Sequence, residues 1–164
     1  MRRSSGPAGG LKQASMNDAS LYAAFARGIA LRGGKLENLR ADGANLREAD
    51  LRETNANGAV LRGCDLTEAM LSFSKLKGVD FTGCVLTRAA LGGCSLESAL
   101  FVEAKLGHAS IVKSDLSHAS FVGADLSNAD LRGSCLYGAQ AWNAKLPGIQ
   151  LATALVEGSS FAPR

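Results

Sequence analysis

From Leu11 to Phe161 every fifth residue is apolar, thirty-one positions in one phase with no insertion to shift the register. Twenty of these centres are Leu and four are Phe; four Ala, Met16, Ile111 and Val156 complete the set. Two residues before each centre runs a second rule: the side chain is small or aliphatic throughout, mostly Ala with Ser, Thr, Gly and Cys. A period of five fits neither regular element. An α-helix advances about 100° per residue, so its stripe would drift by about 140° per quintet, and an extended strand would send successive centres to opposite faces. Each quintet therefore contains a turn.

Glycine locates that turn. Thirteen of the 19 glycines, among them Gly43, Gly63, Gly83, Gly123 and Gly148, lie two residues after a centre. A backbone position that requires positive φ selects glycine in this way, because only glycine occupies it without steric cost. Each quintet is then a short extended piece and a corner, with the centre and the small residue pointing inward. Units of this kind bury nothing alone and stack into a solenoid.

The stretches Ala49-Asp50-Leu51, Ala124-Asp125-Leu126 and Ala129-Asp130-Leu131 match A-(D/N)-L-x-x, and over residues 11–161 the chain resembles the pentapeptide-repeat family. The resemblance implies an all-β fold, a right-handed quadrilateral parallel β-helix with four quintets in each coil and about 7–8 coils. Four walls per coil would stack residues twenty apart. Phe81, Phe101, Phe121 and Phe161 all fall in one such column, interrupted by Ala141. One position breaks the inward pattern and mends it: Leu39 is large where a small residue is expected, and Ala41 is small at the next centre.

One repeat domain, residues 11–164, fills the chain behind a tail, residues 1–10, expected to be flexible. Over residues 11–28 two readings stand. Asp18, Leu21, Tyr22 and Phe25, ending at Arg27-Gly28, would suit a short capping helix; Ala14, Met16, Ala19, Leu21 and Ala24 would equally continue the repeat. Only three residues follow Phe161, so the last coil is expected to meet a second copy end to end, since an uncovered strand edge invites pairing. No stretch is long and apolar enough for a membrane helix, and no secretory or twin-arginine signal follows the two N-terminal arginines. A cytoplasmic protein with no membrane partner is the expectation.

The candidate sites are few. Cys64 and Cys84 share an inward column one coil apart, close enough for a disulfide, but buried thiols in place of Ala are the simpler reading. His108 and His118 stand ten residues apart, half a coil, and cannot share a metal or a proton. Asp and Asn just before centres, such as Asp50, Asp65, Asp80 and Asn45, read as turn residues bonded to nearby backbone. No nucleophile with a base, no phosphate loop and no metal spacing emerges, so neither catalysis nor a cofactor is expected.

Arg27 over Arg47 and Arg32 over Arg52 form two outward basic columns. They could hold an anion or an acidic partner, although Asp42, Glu48, Asp50 and Glu53 interleave with them and favour a salt-bridged surface. Leu100, Val102, Val122 and Trp142 flank the Phe column on its outer side in successive coils, with Ala162 next in line. An aligned outward apolar stripe holding the single Trp suggests a contact surface for a protein partner. The first functional expectation is thus a non-enzymatic scaffold for protein–protein interaction, as a module of a larger bacterial, for instance secretion-associated, protein. The alternative implied by the resemblance is DNA mimicry: a modulator of DNA gyrase that confers quinolone or toxin resistance. Mimicry needs an acidic rod, and this chain carries a formal net charge of +3. The interrupted basic columns, lacking aromatic platforms, do not suggest direct nucleic-acid binding either.

Overall fold

The computed structural model describes residues 13–162. Twenty-five parallel backbone bridges run from Ser15↔Lys35 to Cys135↔Leu155, each joining a residue to the one twenty positions later. That constant offset fixes four quintets per coil and a square cross-section. We label the walls by their centres: wall A holds Leu21, Ala41, Leu61 and the Phe column, wall B runs from Ala26 to Leu146, wall C from Leu31 to Leu151 and wall D from Met16 to Val156. The bridged residue just before each centre and the residue just after it face out.

The corners explain the period. Every corner residue from Gln13 to Gly158 has positive φ, close to +60°, whether glycine or not. In most quintets the N–H three residues beyond the centre donates to the centre's carbonyl, as Ala44 N–H does to Ala41 at 3.0 Å and Ala124 N–H to Phe121 at 3.0 Å. A bonded turn with φ positive only at its third residue is type II. The strain is carried seventeen times by non-glycine residues, so the ladder bonds on either side must outweigh it. Phe73, a bulky aromatic at φ 64°, is the extreme case. Its ring lies where a Cβ on Gly93, one coil on, would stand, and His118 covers Gly138 in the same way.

The core is a stack of layers. Centres from Leu31 to Leu136 are buried, as are the small residues before them. The rings of Phe81, Phe101 and Phe121 stack at 5.2 and 4.9 Å between centroids, a spacing set by the rise of the coil. Ala141 then leaves room, and the ring of Phe161 fills it by turning edge-on to Phe121 at 5.7 Å. Leu39 and Ala41 are both buried, one filling the space the other gives up. The compensation leaves a residual apolar cavity of about 20 Å³ between Leu39, Leu61, Ala56 and their neighbours.

Inside wall D the small column is largely polar. Ser74 Oγ donates to Leu51 O at 2.7 Å and accepts Thr54 N–H at 3.1 Å; Ser114 Oγ donates to Leu91 O at 2.8 Å and accepts Cys94 N–H at 3.1 Å. Ser134 repeats the pattern on Ile111 O and Ser114 N–H. Each buried hydroxyl is satisfied twice, so these groups join successive coils and leave nothing unpaired.

Two expectations need comment. The capping helix considered for residues 11–28 does not form over 13–28: the same turns and bridges continue, with Met16 N–H donating to Lys35 O at 2.8 Å. The N–H and carbonyl groups there are claimed by the next coil, which leaves none for a helix. The tail proposed for residues 1–10 lies outside the described residues. Among the described residues no helix is long and apolar enough to cross a membrane.

Candidate functional site

The basic columns come apart into ion pairs. Arg27 donates to Glu48 at 2.6 Å, Arg32 to Glu53 at 2.5 Å and Arg47 to Asp65 at 3.2 Å. Arg52 grips Asp50 with two bonds of 2.8 and 2.7 Å. Each guanidinium thus meets a carboxylate before it could meet an external anion. Arg132 repeats the two-bond grip on Asp130, and Arg62 Nε donates to the nearly buried Asp80 at 2.6 Å.

The aspartates before centres also bond as expected from turn chemistry. Asp65, Asp80, Asp115 and Asp125 accept the N–H two residues on at 2.9–3.0 Å. Hydrogen bonds from Arg52 and Arg132 hold Asp50 and Asp130 below the usual carboxylate range, and the Ser127 hydroxyl does so for Asp125. Burial pushes Asp65 and Asp80 upward, but Thr67 and Thr82 together with Arg47 and Arg62 outweigh it and leave both depressed. A carboxylate depressed on folding contributes stability that is complete above its unfolded value near 3.8 and is lost as pH falls through the folded value. The melting temperature should therefore hold between pH 7 and 5 and drop below about pH 4. Equal melting temperatures at pH 7 and 3 would refute this.

Three of the four thiols are buried against backbone carbonyls. Cys64 and Cys84 donate to the carbonyls of Ala41 and Leu61, and Cys94 to Leu71 O at 3.1 Å. The neighbouring Cys64 and burial push Cys84 up, and burial raises Cys94 to about 11. Raised, buried thiols are poor nucleophiles. His108 and His118 stand at separate corners, and His118 packs its ring edge against Tyr137 at 5.4 Å. Among the described residues no group of three or more His, Cys, Asp or Glu could hold a metal ion.

Wall A divides along its length. Toward the N-terminus it presents Arg40, Asp42, Arg62 and Asp80; from Leu100 onward its two outward columns present Leu100, Val102, Ser120, Val122, Gln140 and Trp142, with no formal charge, and Glu103 stands exposed at the corner beside them. Leu100 is 39% exposed and Trp142 59%, while Val102 and Val122 are half-buried in the wall between them. Ala162 does not extend the column: the wall turns away at residues 159–162, and Ala162 lines the groove that opens there beside Trp142. Tyr137 is exposed on the adjoining wall D.

Sequence reasoning placed Tyr22 and Phe25 only in the capping helix and passed over Phe73 and Leu155; all four are more than half exposed. Their phase marks each of them as outward, and Phe73 stands at a corner, so the signal was there. The hydroxyl column inside wall D was legible too, as Thr54, Ser74, Ser114 and Ser134 at spacings of twenty or forty.

A family model described as pentapeptide repeats matches the sequence in overlapping segments, 44–83, 80–117, 99–138 and 111–148. The chain belongs to the pentapeptide-repeat family. Its fold is accordingly the right-handed quadrilateral β-helix of that family, and pentapeptide-repeat proteins generally serve as scaffolds. Among solved structures, full-length QnrB1, a plasmid-mediated fluoroquinolone resistance protein, is 17% identical with a TM-score of 0.50 over 88% of this chain and 90% of its own. HetL of the cyanobacterium Nostoc sp. strain PCC 7120, a pentapeptide repeat protein involved in heterocyst differentiation regulation, is 24% identical over 93% and 92%, with a TM-score of 0.36. At these identities the likeness extends to the fold alone. No curated protein matches the sequence significantly.

Proposed function

We propose that this pentapeptide-repeat rod is a non-enzymatic interaction module that docks a protein partner on the C-terminal half of wall A. The uncharged surface from Leu100 to Trp142 carries the reading. It is flat and rigid because each of its rungs is bonded to the one before it, so little ordering entropy opposes docking. Its exposed Trp is the residue type most enriched where binding energy concentrates. The arginine columns, already paired with carboxylates, are a poor second surface.

Gyrase modulation by DNA mimicry finds no support in the charge. The net charge is +3, and the acids of the outer columns are interrupted by Arg40, Arg62, Arg88 and Lys105 along the rod. A supercoiling assay in which this protein inhibits gyrase or protects it from a quinolone would overturn the charge argument.

The direct test is Leu100→Glu combined with Trp142→Glu, at two exposed positions where a carboxylate stays solvated and folding is unaffected. The double variant should keep the wild-type circular dichroism and melting temperature yet lose at least about 2 kcal/mol of partner affinity, as at other interface centres. Retention of every wild-type partner in a pull-down would eliminate wall A as the docking surface. Sedimentation of the same pair separates a foreign partner from self-association, including the end-to-end homodimer expected from the sequence.

A further inference from the structure

The last stretch of wall A is incomplete, and the reason lies in the core. On earlier coils the wall's centre and its corner residue each donate an N–H to the rung that follows: Phe101 to Ser120 O at 2.7 Å and Glu103 to Val122 O at 2.9 Å, then Phe121 to Gln140 O at 2.7 Å and Gly123 to Trp142 O at 2.8 Å. The equivalents on the next coil are Ala141 and Asn143, and among the described residues neither N–H has an acceptor. The carbonyls that would serve belong to Ser160 and Ala162. Ser160 still donates to Ala139 O at 2.9 Å, but Ser159 Oγ takes the Phe161 N–H at 3.1 Å and the chain turns there. That turn is what delivers the Phe161 ring to Phe121, where it is 8% exposed. Filling the gap left by Ala141 thus vacates a rung. Between the last full rung and the departing residues lies an open groove of about 550 Å³, with Ala141, Trp142 and Asn143 on one side and Gly158, Ser159 and Ala162 on the other.

Two N–H groups spaced as on the earlier rungs, one at the centre of the wall and one at its corner, beside an exposed indole, have the partial charge that backbone carbonyls complement. We propose that the groove is a strand-addition site for an extended peptide segment of a partner protein, which replaces the missing rung. Carbonyls of two residues, one apart from the other by a single residue, accept from Ala141 and Asn143. The residue between them points inward, as every centre does. The Phe161 ring already occupies that space, so this residue must be small, Gly or Ala. Its outward neighbours are apolar, because the one on the Trp142 side lies against the indole. The inference rests on the reading of wall A as an interaction surface and assigns the class of segment it takes.

Trp142 is the only Trp in the chain, so Trp emission reports on this one position beside the groove. The test titrates the full-length protein with the peptide acetyl-Ser-Val-Ala-Val-Ser-amide while amide hydrogen exchange is read residue by residue. In the free protein the amides of Ala141 and Asn143 should exchange at least about 100-fold faster than those of Phe121 and Gly123, which hold the equivalent bonds one coil earlier. At millimolar peptide both should slow by about tenfold or more, with a saturable shift in Trp142 emission. A peptide with Phe at its centre should do neither. Slow exchange in the free protein would mean that the rung is already closed, and no protection at millimolar peptide would mean that the groove does not accept strands; either result overturns the proposal. So would protection that rises with protein concentration in the absence of peptide, which would make a second copy the occupant. Leu100→Glu keeps the two readings apart: it should weaken docking on wall A while leaving peptide protection of Ala141 and Asn143 intact.

Discussion

Phe101→Ala should destabilise the rod by about 3–5 kcal/mol, the upper end of what a core truncation costs. Phe101 is the middle ring of three, all fully buried, with centroids 5.2 Å from Phe81 and 4.9 Å from Phe121. Losing it removes the transfer energy of the ring and the contacts of both neighbours. The size of the loss depends on whether the hole can close. In a helical core, elements can slide together. Here the rungs above and below are held apart by the ladder, Phe81 N–H on Leu100 O and Phe101 N–H on Ser120 O, both at 2.7 Å, and the corners are locked turns. Closing the hole would break those bonds, so the cavity persists. Urea unfolding followed by circular dichroism measures the change. A loss below about 1 kcal/mol would show that the coils collapse around the vacancy and that the ladder is softer than its hydrogen bonds imply.

Leu39→Ala should cost about 2–5 kcal/mol on its own, and Ala41→Leu about 1–3 kcal/mol through overpacking, yet the double variant should lie close to wild type. Both side chains are buried on wall A, and the cavity beside Leu39 is lined by Leu21 and Leu61, the centres one coil before and after Ala41, so removing Leu39 enlarges it and a leucine at 41 would have to enter the space Leu39 fills. Exchanging them restores the usual order of small residue then large centre. The coupling should therefore amount to several kcal/mol of opposite sign to the single losses, well beyond the few tenths found between independent sites. Strict additivity would mean that the two residues fill separate holes, and that the reversed order at this corner is not a compensated pair.

How far the molecule could be read from its sequence varies with the kind of interaction. The centres, the small inward column and the glycine corners follow from a period of five and the sterics of positive φ, both local properties. The column of Phe residues at intervals of twenty added the square cross-section. The aspartate turns were legible for the same reason, since Asp65 and Asp125 reach only two residues along the chain. The arginine surface was legible only as mixed charge. Arg27 finds Glu48 and Arg47 finds Asp65 across the corner and across coils, at separations of 21 and 18, and Arg27 also feels Glu68, so spacing along the chain does not select the partner. The stripe on wall A was readable as a direction but not as a degree of exposure: Val102 and Val122 are half-buried, as most residues just after a buried centre are, while Trp142 stands out.

By itself, the sequence determined the repeat, its register and which residues face inward, because each quintet contains its own turn and its own buried pair. Only the tertiary structure decided how the rod treats its irregular places. At Ala141 and Phe161 a void in the core competes with two ladder bonds on the wall, and burial of an aromatic ring outweighs two solvent-exposed hydrogen bonds, whose net worth is about 1 kcal/mol each. No local rule expresses that competition, because the rings of Phe121 and Phe161 and the two N–H groups involved meet only when forty residues of chain have coiled past one another.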